Sequence, residues 1–146
     1  MRITQEADYA LRIVNYLALT DKFVDAKTIA ESVNVPERFS LKILRKLLMG
    51  ELVDSQKGVG GGYRFTADPH NVTMRQVIEL IDGPFAINKC IGSEHECSRN
   101  GSKKADCVFH RVFLKINDIV AEKLDTITLD MISSGDFTTE EILAKI

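Results

Sequence analysis

Residues 36–65 read PERFSLKILRKLLMGELVDSQKGVGGGYRF, and the choice of fold turns on them. Pro36 suits the first position of a helix, where a missing N–H costs nothing. Behind it Phe39, Ile43, Leu44, Leu47 and Leu48 recur at helical spacing and form a core stripe. Arg38, Lys42, Arg45 and Lys46 are left on the flanking and outer faces. Two short strand-like runs follow, ELVDSQ and YRFTA, joined by KGVGGG. Four glycines in the five residues 58–62 exclude a helix or a strand interior. They form a flexible hairpin tip, with Lys57 before it and Arg64 after it.

Upstream, Ala7, Ala10, Leu11, Val14, Leu17 and Ala18 predict a helix over 4–19, with Thr4 as its N-cap. DAKTIAESVNV predicts a short second helix capped by Asp25. Downstream, Thr73-x-x-Gln76 is a capping box that opens a helix over MRQVIELI, stopped by DGP. Residues 86–106 are polar and aperiodic and read as a loop. From Cys107 a long amphipathic helix carries Phe109, Val112, Phe113, Ile116, Ile119, Val120 and Leu124. That stripe is wide for a helix leaving a small domain. A second copy of the chain would cover it, giving a homodimer; the alternative is packing on its own domain.

Three helices followed by a two-stranded hairpin describe a winged helix-turn-helix. The expected fold is therefore mainly α with a small β-hairpin wing, extended by a long C-terminal dimerisation helix. In that design the third helix enters the major groove of double-stranded DNA, and the wing reaches backbone or minor groove. Arg38, Lys42, Arg45 and Lys46 suit phosphates or guanine edges, and Ser40 and Lys42 are base-contact candidates. Gly60 and Gly61 at the tip allow close backbone approach, flanked by Lys57 and Arg64. A charge run on a helix is usually only a solvated face; helix order, basic third helix and glycine-rich hairpin together favour DNA. A dimer would address a roughly palindromic operator.

The 146 residues amount to one domain's length, 45% hydrophobic and 27% charged, as in an ordinary globular protein. Net charge is −2, which argues against a nucleic-acid binder until the chain is divided. Residues 1–66 hold ten Lys/Arg against eight Asp/Glu, and residues 67–146 hold nine against thirteen. A DNA footprint must then be local and lie in the first half. No run suits a signal peptide, an anchor or a membrane span, so the expectation is a cytoplasmic protein with no membrane partner. Nothing points to an enzyme: there is no nucleotide motif and no nucleophile–base arrangement.

All three cysteines fall in CIGSEHECSRNGSKKADCVFH, residues 90–110, spaced Cys90-x6-Cys97-x9-Cys107 with His110 beyond. Cytosolic thiols are usually reduced, so a cluster of them favours metal or redox chemistry over structural bridges. Structural zinc favours close C-x2-C pairs. Long, unequal gaps suit ligands wrapping something larger than one ion, and an iron–sulfur cluster fits. Cys107 and His110 are three apart at a helix start and can share one side. Lys89, Arg99, Lys103 and Lys104 are available to offset thiolate charge. The bland alternative is three unconnected cysteines, with His110 an ordinary helix residue.

MRITQEADYALR, PERFSLKILRKL, LVDSQKGVGGGYRF, VTMRQVIELIDGP and the cysteine triplet followed by HRVF resemble the Rrf-two family of bacterial winged-helix transcription regulators over about residues 1–133. The resemblance implies a homodimer crossing through the long helix. It implies a cluster, 2Fe-2S or 4Fe-4S, held by Cys90, Cys97 and Cys107, whose gain or loss changes DNA affinity. It implies two candidates for the fourth ligand: His110 in its own chain, or Asp8 reaching across from the partner's first helix. The DYALR stretch is closer to the family's nitric-oxide sensors and favours Asp8. The gap between Cys97 and Cys107 is long for the family, and Lys57 stands where many members carry arginine, a cation that is not equivalent. The organisation expected is a DNA-binding domain over 1–83, a sensor loop over 84–106, and a dimerisation helix with C-terminal segment over 107–146. The function expected is a repressor sensing nitric oxide, redox or iron–sulfur status. The competing reading is a cluster-free regulator controlled by thiol oxidation or a partner protein.

Overall fold

A computed structural model describes residues 3–92 and 106–146 of the chain. Helix α1 (Gln5–Thr20) is at its centre. Thr4 caps it, accepting a hydrogen bond from the Ala7 N–H, and its buried face is Ala7, Ala10, Ile13, Val14 and Leu17. Helix α2 (Ala26–Ser32) starts at Asp25, whose carboxylate takes the Thr28 N–H at 3.0 Å. Helix α3 (Glu37–Met49) follows a turn in which Asn34 adopts φ 53°. Pro36 takes the N-cap position just outside α3, one residue earlier than the sequence suggested.

The stripe of α3 keeps Ile43, Leu44 and Leu47 as expected and differs at its two ends. Its buried residues are Ser40, Ile43, Leu44 and Leu47, while Leu48 is exposed. The spacing i, i+3, i+4, i+7 is kept, but the first inward place belongs to a small serine rather than to Phe39. Phe39 lies half-buried, edge-on to Tyr9 with ring centroids 6.2 Å apart.

The wing is β1 (Val53–Gln56) paired antiparallel with β2 (Gly62–Phe65), in the register Val53↔Phe65 to Gln56↔Gly62. It has a third member. Val24 exchanges both backbone hydrogen bonds with Tyr63, at 2.9 and 2.8 Å, so the α1–α2 loop anchors β2. Gly62 makes this approach possible. Its φ is 144°, and a Cβ there would lie 2.2 Å from the Val24 carbonyl oxygen. Gly58 and Gly60 supply the positive φ values of the tip, 96° and 77°.

Helix α4 (Met74–Asp82) begins with the expected capping box and buries Val77, Ile78 and Ile81. Helix α5 (Val108–Thr126) packs against α4. The chain then returns to the first module. Met74 N–H donates to the Ile127 carbonyl at 2.9 Å and Leu129 N–H to the Val72 carbonyl at 2.8 Å. Leu129, at the start of helix α6 (Leu129–Ser133), is part of the same core as α1. Residues 127–133, which the sequence groups with the long C-terminal helix, are thus tied to the core around α1 through Leu129. Helix α7 (Thr139–Leu143) ends the chain with its own capping box, Thr138 and Glu141.

The breadth of the α5 stripe has a simple origin: it is two faces. Asn117 and Ala121 are buried, with Phe113, Val120 and Leu124 half-buried beside them, against the chain's own domain. Val108, Phe109, Val112, Ile116 and Ile119 are exposed on a face offset by about a third of a turn. Packing on its own domain, the second alternative raised by the sequence, therefore holds for the inner residues, and the outer face presents an exposed apolar surface.

Gly62→Ala is expected to lower stability by more than about 1 kcal/mol, through strain and the clash with Val24. Urea denaturation reads this directly. An unchanged midpoint would mean that the wing does not depend on the Val24 contact.

Candidate nucleic-acid interface and cysteine site

The basic side chains of α3 do not form one uniform patch. Arg38 and Arg45 are exposed, Arg38 with its guanidinium 4.9 Å from the Phe39 ring centroid. Lys42 and Lys46, one turn apart, both reach Glu6 in the first turn of α1. Lys42 Nζ is 2.7 Å from Glu6 Oε2 and Lys46 Nζ 2.8 Å from Oε1. Lys42, then Lys46, hold the Glu6 carboxyl below the usual glutamate value. Lys46 also donates to the Ile81 carbonyl at the end of α4, at 2.9 Å. Lys46 is thus a brace between three helices before it is anything else.

Ser40 corrects the sequence reading. It is fully buried and its Oγ has no hydrogen-bond partner, so it presents nothing to a groove. On the wing, Lys57 and Gly60 are exposed at the tip, and Gly61 is half-buried. Arg64 is half-buried, its guanidinium 4.8 Å from the Phe23 ring centroid. Stacking on an aromatic face orients the planar cation at modest cost.

The root of the cysteine segment is held by hydrogen bonds to α4 and α5. Phe85 N–H donates to Glu79 Oε1 at 2.8 Å, and Glu79 also pairs with Arg75. Arg75 bridges to Asp125 of α5 at 2.9 Å, and that carboxylate accepts from Thr73 Oγ1. Two residues on, Ile87 N–H donates to Asn117 Oδ1 at 3.0 Å. Asn117 is a buried amide whose role is to satisfy this backbone group. Its signal was present in the sequence: a polar residue between apolar positions of the inward face.

Cys90 and Cys107 are half-buried free thiols. Cys107 is the N-cap of α5 and makes no side-chain capping bond. His110, one turn on, has a buried Nδ1 with no hydrogen-bond partner. Cysteine sulfurs with an unsatisfied imidazole nitrogen are a donor set suited to an iron–sulfur cluster. Cys97 lies outside the described residues. Among those described, no three His, Cys, Asp or Glu side chains converge as a metal site. Asp8 is half-exposed and pairs with Arg12 of its own helix at 2.6 Å.

Three helices, a wing docked on the α1–α2 loop and a cationic third helix define a winged-helix DNA-binding transcriptional regulator. The Rrf2 family model, described as an iron-dependent transcriptional regulator, matches residues 3–134. The chain belongs to that family, whose members are transcriptional regulators and not enzymes. The BadM protein of Rhodopseudomonas palustris is 30% identical over 88% of this chain and 79% of its own. The transcriptional regulator IscR of Vibrio parahaemolyticus is 28% identical over all of this chain and 82% of its own. Among solved structures, CymR, the global cysteine regulator of Bacillus subtilis, superposes with a TM-score of 0.72 at 25% identity, covering 92% of this chain and 98% of that one. Among the described residues no helix is long and apolar enough to cross a membrane.

Ser40→Ala is expected to leave DNA affinity unchanged and to hold or raise stability by up to about 1 kcal/mol, because it removes an orphaned buried hydroxyl. Urea denaturation and fluorescence anisotropy with labelled duplex check both halves. A loss of DNA affinity in a fully folded variant would return Ser40 to the reading face.

Proposed function

We propose that this regulator is a homodimeric repressor that binds a palindromic operator and whose affinity is set by an iron–sulfur cluster on residues 90–110. The carrying observation is the donor set at the root of α5. Cys107 at the N-cap, His110 with an unpartnered Nδ1 and the free thiol of Cys90 are all half-buried on the described part of one short segment. The family description, iron-dependent, supports the same reading.

Cys90, Cys97 and Cys107 would hold the cluster, with Asp8 of the partner subunit or His110 as the fourth ligand. When bound, the cluster supplies an iron centre that nitric oxide, oxidants or iron shortage can attack or remove. The chain's own part is coupling. A change at Cys107 bears on α5, and the Asp125–Arg75–Glu79 bridge passes it to α4 and Phe85. The end of α4 meets Thr4, whose N–H and hydroxyl both donate to Asp82. A coupling of about 1–3 kcal/mol between cluster and DNA suffices to switch occupancy.

The DNA-facing set is Arg38, Lys42 and Arg45 on α3, with Lys57, Gly60, Gly61 and Arg64 of the wing. The exposed α5 face, Val112, Ile116 and Ile119 at its centre, is the dimer surface. A second reading is control by thiol oxidation or a protein partner without a cluster. The likeness to a cysteine regulator and the two free thiols favour it. It predicts colourless anaerobic protein.

Cys97→Ala is expected to abolish the visible charge-transfer absorption after anaerobic reconstitution while leaving helix content unchanged. Comparing Asp8→Ala with His110→Ala then identifies the fourth ligand by which one destabilises the colour. Wild-type protein that stays colourless sinks the cluster. Ile116→Glu is expected to give folded monomers by sedimentation equilibrium; a wild-type monomer would contradict the dimer surface.

A further inference from the structure

The Glu6 contact has a consequence for DNA binding that depends on α3 being the reading helix. A carboxylate inside the cationic face of a DNA-binding element is costly for phosphate approach unless it has another purpose. Glu6 is only 20% exposed, and each of its oxygens is within 2.8 Å of a different lysine of α3. The two lysines are not in the same position. Lys46, 32% exposed, is also committed to the Ile81 carbonyl. Lys42, 58% exposed, has Glu6 as its anchor and lies on the open side of the helix.

We propose that Glu6 is an internal competitor for DNA phosphate, withholding Lys42 from nonspecific duplex so that cationic α3 does not bind DNA indiscriminately. Nonspecific binding is almost wholly phosphate contact with released counterions. A regulator's useful quantity is its specificity ratio against a large excess of competing sites. An acid that neutralises one mobile lysine lowers nonspecific affinity. Arg45, exposed on the same helix and with no acidic partner among the described residues, is left to contact DNA. Glu6 also belongs to a junction. Thr4, two residues before it, is bonded to Asp82, and Gly83 then opens the stretch leading to Cys90. Movement of that junction would change how firmly Lys42 is held.

The test uses the full chain and a labelled duplex of random sequence, with anisotropy titrations at several salt concentrations. Glu6→Gln is expected to bind more tightly, and its plot of log affinity against log salt to steepen by about 0.9 per protomer, one phosphate contact. In a Lys42→Gln background the same change is expected to give no gain, because the lysine it would release is gone. Lys42→Gln alone is expected to change the wild-type slope by much less than 0.9. A Glu6→Gln gain that persists in the Lys42→Gln background overturns the proposal, since it would be only a change of net charge. No gain at all also overturns it. If Glu6→Gln does not fold, the Lys42→Gln slope alone decides: a full loss of about 0.9 means Lys42 was never withheld. Arg45→Gln separates the two levels. If it loses no affinity, α3 is not the reading helix and the proposal falls with that reading. If it weakens binding while Glu6→Gln does nothing, only the Glu6 proposal falls.

Discussion

Burial of one face of α1 is the constraint on which the rest of the structure depends. Ala7, Ala10, Ile13, Val14 and Leu17 are wholly removed from water, and α3, α4, α6 and β2 pack around that helix. The small residues at its start let neighbours approach closely, and the larger ones fill the centre. The same helix end collects polar contacts from across the chain: Asp82 on Thr4, and two lysines of α3 on Glu6. Helix α3 and the end of α4 are therefore fixed to one turn of helix. A regulator needs that kind of mechanical connection, because a signal that does not reach the reading helix changes nothing.

The second connection is α5. Its inward face is locked to α4 by the Arg75 and Asp125 pair and carries Asn117, which holds the Ile87 N–H. Its outward face is apolar and exposed. Its N-terminus carries Cys107 and His110. The root of the cysteine segment, the domain contact and the proposed dimer surface thus share a single helix. That arrangement makes the cluster reading economical: a change at the N-terminus of α5 need not travel through a flexible linker.

Much of this was legible in the sequence because it is local. The caps at Thr4, Asp25 and Thr73 act within three residues, and helical periodicity marked α1, α3, α4 and α5. The glycine string announced the hairpin because only glycine tolerates the φ values at 58 and 60. What escaped is long-range. The first place of the α3 stripe was misassigned because Phe39 outranks Ser40 in hydrophobicity, whereas the inward place goes to the small residue. Nothing near Val24 signals its pairing with Tyr63, and nothing near Lys46 signals that it will brace α1 and α4. Glu6 shares the acidic first turn of α1 with Asp8, but its lysine partners are 36 and 40 positions away, too far for local pattern. The ligand role of Cys97 rests on spacing and resemblance, since that residue lies outside the described part of the chain.

The most direct test is to reconstitute the protein anaerobically, enrich its DNA sites from a random duplex pool, and measure binding to them before and after iron is stripped by a chelator. A coloured protein whose affinity changes about five-fold or more on iron removal is the expected result, corresponding to a coupling of about 1 kcal/mol or greater. A colourless protein, or equal affinity with and without iron, would contradict a cluster-controlled regulator.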